Sequence, residues 1–353
     1  MSISSSRDDS ISYAQALYEA AYQEMERNPS VFIYGLGVDD AKGMYGSTLG
    51  LDKVFGVDRC FDTPLAEDAM TGMGIGAAIA GMRPIHVHQR MDFLLLCMNQ
   101  LVNMAAKMTY MTDGAVKIPL VVRGIIGRSW GQGAQHSQAF HSYFMHVPGL
   151  RVVAPTTPHD AKGCLIAAIR DNNPVIFMEH RLLYQNTGVV PRDSYEVKLG
   201  QARILTAGTD ITIVAISHMV VEALRAKHLL EQVGISAEVI DPVSLAPLDI
   251  DTIVASVRKT GKLLVVDTSW TVCGATAEIA CQVFEALQSE MLINVKRLGY
   301  ANTPCPTTRS LEDIYYPSSH SIALEAYNIM GGKDSWMPEE QVSREIEEFR
   351  GPF

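Results

Sequence analysis

Arg151-Val-Val-Ala154, Asp160-Ala-Lys-Gly-Cys-Leu-Ile-Ala-Ala-Ile-Arg170 and Val175-Ile-Phe-Met178 follow one another directly: a short β-branched run, a helical stretch and a second apolar run. That succession is a βαβ unit, and it predicts a parallel sheet buried on both faces. The same rhythm extends toward the N-terminus. Val31-Phe-Ile-Tyr34, Ile85-His-Val-His88 and Pro119-Leu-Val-Val122 read as further strands, and Tyr13 to Arg27, Ala66 to Ala80 and Leu94 to Met111 as helices. Tyr184 to Gly200, with Gly188, Pro191 and several charges, breaks the pattern and marks a boundary. The expected first domain is α/β over residues 1–190.

A second alternation follows: strands at Ile211 to Ile216, Ala237 to Ile240, Leu263 to Val266 and Ile293 to Val295, and helices after Ser217, after Pro247 and from Gly274 to Leu287. This predicts a smaller α/β domain over 200–330, its strand–helix alternation ending near Tyr316. Residues 331–353 are expected to be a tail. Its Glu-rich part from Met337, with Pro338 and Pro352, reads as a surface helix and end segment.

The chain has 353 residues, 47% of them hydrophobic, enough for two cores and too apolar for a disordered protein. Its 29 Lys and Arg against 39 Asp and Glu give a formal charge of -10, which argues against a nucleic-acid partner or an anionic membrane surface. Six scattered cysteines, Cys60, Cys97, Cys164, Cys273, Cys281 and Cys305, form no C-x-x-C pair and read as buried free thiols. MSISSSRDDS lacks the apolar core of a signal peptide, and no apolar run reaches the roughly 20 residues of a membrane span. A soluble, cytoplasmic protein is expected.

Gly72-Met-Gly74-Ile-Gly76-Ala77 satisfies G-x-G-x-x-A, with Asp92 downstream. A dinucleotide fingerprint must open a helix directly after a strand, whereas Pro64 to Thr71 already looks helical, so the small residues read as a close packing contact with another backbone. His86 and His88 share a strand face, as in some metal hydrolases, but ordinary core or interface histidines are the plainer reading. No G-x-S-x-G or G-x-x-x-x-G-K-[ST] occurs. Gly124 to Gly133 follows a strand and is placed as an active-site loop.

Asp62-Thr-Pro-Leu-Ala-Glu67 is the most informative segment. Pro64 suits a first helical turn, and Glu67 then faces Leu65, Met70 and Ile75, surroundings that disfavour its ionised form and let it hold or donate a proton near neutrality. A solvated first-turn glutamate that complements the helix dipole fits the same spacing.

With Gly81-Met-Arg-Pro84, Asn99-Gln-Leu-Val-Asn-Met-Ala-Ala-Lys107, Gly133-Ala-Gln-His-Ser-Gln138, Pro148-Gly-Leu-Arg-Val-Val-Ala-Pro155 and Arg170-Asp-Asn-Asn-Pro174, that segment resembles the β subunit of the thiamine-diphosphate-dependent first component of 2-oxoacid dehydrogenase complexes. The likeness runs from about Tyr13 to Glu312 and includes Pro247-Leu-Asp249, Lys259-Thr-Gly261 and Ala277-Glu-Ile279. It implies a pyrimidine-binding α/β domain followed by a transketolase C-terminal-like domain. It also implies that Glu67 bonds N1′ of the cofactor's aminopyrimidine and favours the imino tautomer that deprotonates the thiazolium C2. The cofactor ring then serves as electron sink for decarboxylation of a 2-oxoacid.

By the same resemblance Phe93 packs on the pyrimidine, Gln89 lies beside it, the Leu65 carbonyl accepts from the 4′-amino group, and His136 stands at the active-site mouth. Backbone carbonyls of Leu120, Ala168, Asp171 and Asn173 match a structural potassium site. The G-D-G motif that holds the diphosphate's Mg2+ is missing, so the resemblance assigns that half to a separate α subunit in an α2β2 assembly, with a lipoylated acyltransferase as acceptor. Departures from the family pattern are His88 and Arg90, which add donors or positive charge near the pocket, His141 and Tyr143, and Asp241-Pro-Val-Ser244, which lacks a usual Arg. They keep open a two-subunit transketolase-like or acetoin-cleaving carboligase. A non-catalytic scaffold subunit is the alternative of another class.

Overall fold

The computed structural model describes residues 9–127, 131–332 and 336–339, and the chain divides into two compact units. Of the described residues, the first comprises those up to Ile126 together with Tyr143–Leu199, and the second comprises those of Gly127–Ser142 and those from Gly200 onward.

In the first unit six parallel strands lie in the order Arg151–Val153, Val175–His180, Val121–Ile126, Arg83–His88, Val31–Gly35 and Cys60–Phe61. Val31–Gly35 and Val121–Ile126 are wholly buried and Arg83–His88 is buried in all but its first residue, which is why Val31 to Tyr34 reads as a continuous apolar run, while His86, His88 and Arg123 are buried polar exceptions. The helix Pro158–Arg170 starts where Thr157 Oγ1 accepts from the Asp160 N–H (3.0 Å) and Pro158 takes the first turn. It packs against Tyr13–Arg27. In the stretch from Tyr184 to Gly200, Thr187–Val190 pairs antiparallel with Asp9–Ser12, a strand pair that the charges and Gly188 had hidden.

The single helix expected from Leu94 to Met111 is three pieces: a 3-10 helix Met91–Cys97, a π-helical stretch Gln100–Ala105 and an α-helix Ala106–Met111. The buried positions explain the change. Met91, Leu94 and Cys97 recur every third residue and share a face only at three residues per turn, whereas Cys97, Leu101 and Ala105 recur every fourth and suit a wider turn.

The second unit is a five-stranded sheet ordered Asn294–Tyr300, Lys262–Trp270, Ile211–Ala215, Ala237–Asp241 and Arg203–Thr206, with only the last strand antiparallel. Its core joins Ile213, Val239 and Leu264 to the helices Met219–Glu231 and Ser319–Ile329, so packed structure continues past Tyr316. The helix and tail expected from 337 lie outside the described residues except for 337–339. No helix among the described residues is long and apolar enough to cross a membrane.

All six thiols are free, but Cys273 and Cys281 are exposed, contrary to the expectation of burial. The helix Ala275–Leu287 buries Thr276, Ile279, Val283 and Leu287, and Cys281 falls off that stripe. Burial pushes the Cys60 thiol up to about 12 and the Cys97 thiol up to about 11.

Candidate active site

The carboxyl end of the strand Arg83–His88 and the N-terminus of the helix Glu67–Ile79 meet around a cavity of about 240 Å³ in the first unit. Ligands of parallel α/β sheets collect at this edge of the sheet. Leu65, Glu67, Gln89 and Phe93, four residues singled out from the sequence, all line the cavity. Thr63 and Met70 line it too, as do Leu36 and Leu96, which carried no signal of their own. Leu96 follows Phe93 by three residues on a 3-10 turn, a spacing that a helical pattern of 3.6 misplaces.

Glu67 is the first residue of its helix. Pro64 lies ahead of that helix, not in its first turn, and its carbonyl accepts from the Ala66 N–H at 2.9 Å. The Glu67 side chain is half-buried and makes no hydrogen bond with any described residue, and the Leu65 carbonyl likewise accepts none. An acceptor pair of this kind, set among Leu65, Met70 and Phe93, suits a flat ring that offers donors along one edge. Gln89 is held across the cavity edge, its Nε2 donating to the Leu36 carbonyl at 3.2 Å. Phe93 is half-buried on the 3-10 turn.

The helix is fixed from beneath. Tyr34 Oη donates to the Met70 carbonyl (3.0 Å), and a Cβ on Gly74 would come within 2.1 Å of that hydroxyl. Gly74 therefore admits a tyrosine ring, where the sequence suggested approach to another backbone. A Cβ on Gly76 would meet nothing, and all three glycines lie inside the helix, away from any strand-to-helix turn.

His86 and His88 bond to each other: His88 Nε2 is 3.2 Å from His86 Nδ1, which is also 3.3 Å from Thr71 Oγ1, and the Tyr34 ring stacks on His86 at 4.4 Å. Burial holds both imidazoles neutral, pushing His88 down to about 3 and His86 well below its usual value, with His88 adding to the latter. Among the described residues no group of three or more His, Cys, Asp or Glu could hold a metal ion. Arg90 lines the same cavity and is 8% exposed.

His136 lies in the second unit and does not line the cavity. His141, also there, bonds Asp267 through Nε2 at 2.8 Å with both side chains buried, while Tyr143 is exposed in the first unit. Asp241 Oδ1 accepts from the Val243 N–H (2.8 Å), in a turn where Val243 has a φ of 56°. Leu120, Ala168, Asp171 and Asn173 lie where the helix Pro158–Arg170 ends. The Leu120 carbonyl accepts from the Val175 N–H (2.9 Å), and Arg83 Nη1 donates to the carbonyls of Asp171 (2.9 Å) and Ile169 (2.8 Å). Of the glycine-rich stretch 124–133, residues 128–130 lie outside the described residues.

Residues 9–187 match the family model "Transketolase, pyrimidine binding domain" and residues 200–322 match "Transketolase, C-terminal domain". The chain is 42% identical over 333 residues to the β subunit of acetoin:2,6-dichlorophenolindophenol oxidoreductase of Cupriavidus necator, covering 92% of this chain and 98% of that one. It is also 42% identical over 315 residues to the pyruvate dehydrogenase E1 component subunit beta of Porphyra purpurea, covering 89% and 95%. A solved "split gene transketolase, inactive beta4 tetramer" superposes with a TM-score of 0.75 at 20% identity, covering 92% of this chain and 99% of that one, and shares the fold.

Proposed function

Because the chain belongs to the family of transketolase-like β subunits that includes those of pyruvate dehydrogenase E1 and the acetoin oxidoreductase, we propose that it is the β subunit of a heteromeric thiamine-diphosphate-dependent 2-oxoacid dehydrogenase. The observation that carries this reading is the unpartnered Glu67 carboxylate at the mouth of an apolar-walled cavity in the pyrimidine-binding domain. When bound, the cofactor supplies the carbon nucleophile and the electron sink.

This chain's own residues do the rest. Glu67 would hold a proton with the N1′ position of the aminopyrimidine, its half-buried carboxyl having no hydrogen-bond partner among the described residues. The Leu65 carbonyl receives the 4′-amino hydrogen, Phe93 packs on the ring, and Gln89, tied to Leu36, closes the edge. The neutral His86–His88 pair adds no charge of its own to the wall that it shares with Arg90. The diphosphate and Mg2+ fall to an α subunit in an α2β2 assembly, and His136 serves substrate or the acceptor's lipoyl arm. A potassium ion at Leu120, Ala168, Asp171 and Asn173 would be structural. Since two of those carbonyls already accept hydrogen bonds, it would use their remaining lone pairs.

The test is Glu67→Gln assembled with the α chain. Decarboxylation is expected to fall by about 10²- to 10⁴-fold with unchanged assembly and melting temperature. An unaltered rate overturns the role of Glu67. Arg90 favours a second reading, a two-subunit carboligase that passes the activated fragment to a carbonyl acceptor. Product analysis with free aldehydes against a lipoylated domain separates the two.

A further inference from the structure

Among the described residues Arg90 is the one cationic side chain in the cavity wall and Glu67 the one acidic side chain. They do not pair with each other. The Arg90 guanidinium makes no hydrogen bond or ion pair with any described residue, and its Nη1 is cut off from solvent. A guanidinium is always charged, and one that is more than nine-tenths buried without a counter-charge is destabilising to the free chain. Nothing else in the wall offsets it, because the neighbouring imidazoles are neutral donors or acceptors at most.

We propose that Arg90 is a specificity-determining residue that binds an anionic group, carboxylate or phosphate, carried by the substrate away from the carbon that reacts. This rests on the function proposed above for the reaction, though not for the anion binding itself. The carboxylate lost as CO2 is excluded by charge: its negative charge leaves the carboxyl group as the bond breaks, so a guanidinium paired to it would stabilise the ground state more than the transition state. An anion that stays on the substrate keeps its pairing throughout, and its binding energy positions the reacting carbonyl. The bidentate fork of Arg suits either oxyanion.

The experiment uses the assembled, cofactor-loaded complex with wild-type chain, Arg90→Gln or Arg90→Lys. Turnover is measured for pyruvate, for 2-oxoglutarate as the distal carboxylate, and for a ketose phosphate with its dephosphorylated sugar. Thermal-shift titrations with glutarate, inorganic phosphate and thiamine diphosphate read binding independently. The expected result is a loss of about ten- to a hundredfold in kcat/KM for one distal-anion donor in Arg90→Gln, partly restored by Arg90→Lys. Pyruvate turnover and cofactor affinity fall by a clearly smaller factor, and glutarate or phosphate, whichever matches that donor, binds correspondingly weaker. The donor affected tells carboxylate from phosphate.

The proposal is overturned if pyruvate suffers equally, if cofactor affinity falls by the same factor, if the variant's only defect is assembly with the α chain, or if anion binding does not depend on Arg90. Arg90-dependent anion binding without turnover of any donor would instead leave Arg90 in place and remove the dehydrogenase reading.

Discussion

Two buried arginines in the first unit stand in opposite circumstances. Arg123, fully buried, lies on the strand Val121–Ile126 and spreads its guanidinium over the Glu179 carboxylate, with Nη2 at 2.9 Å from Oε2 and 2.7 Å from Ser47 Oγ, and Tyr184 Oη donates to the same glutamate. Arg90, just beyond the neighbouring strand Arg83–His88, has no such partner among the described residues. Charge that serves the fold is answered from within the chain. Charge that serves a ligand waits for it, and the free chain bears the cost.

The largest expected effect breaks the closed pair. Arg123→Met, by stranding Glu179, should lower unfolding free energy by about 3–5 kcal/mol, and adding Glu179→Leu should recover most of it, read by denaturant titration of both variants. A single variant as stable as wild type would remove the contrast. Next comes the neutral histidine beside Arg90. His88 binds its proton far less readily folded than unfolded, so between its folded value near 3 and its unfolded value near 6.5 the unfolded chain holds more protons and stability rises with pH. Lowering the pH from 6.5 to 4.5 should therefore cost about 2 kcal/mol more in wild type than in His88→Gln, measured by paired unfolding curves. The smallest effect sharpens the comparison. Arg90→Met should stabilise the free chain by about 1 kcal/mol, whereas a loss of that size would mean that the guanidinium is answered after all.

Much of the architecture was legible because buried parallel strands need apolar runs on both faces, and Val31 to Tyr34 or Val175 to Met178 can be little else. Glu67, Phe93 and Gln89 were singled out through the resemblance to the family, and one cavity is lined by all three. The burial of Arg90 was not, since a cation two residues past a strand looks like solvent-facing punctuation until a fold encloses it. Nor was the role of Gly74: its neighbour Tyr34 is distant in the chain, and only tertiary contact says which of three glycines matters. The mixed 3-10 and π course after Arg90 escaped because apolar spacing shifts from three to four within one segment, and a single helical period averages it away.

The bond from the Tyr34 hydroxyl to Met70 has a mechanical consequence for the carboxyl group three positions earlier. Glu67 is anchored to the sheet's stiffness and not to the compliance of the connecting segment before it. Tyr34→Phe is therefore expected to loosen the first turn without changing any side chain that lines the cavity.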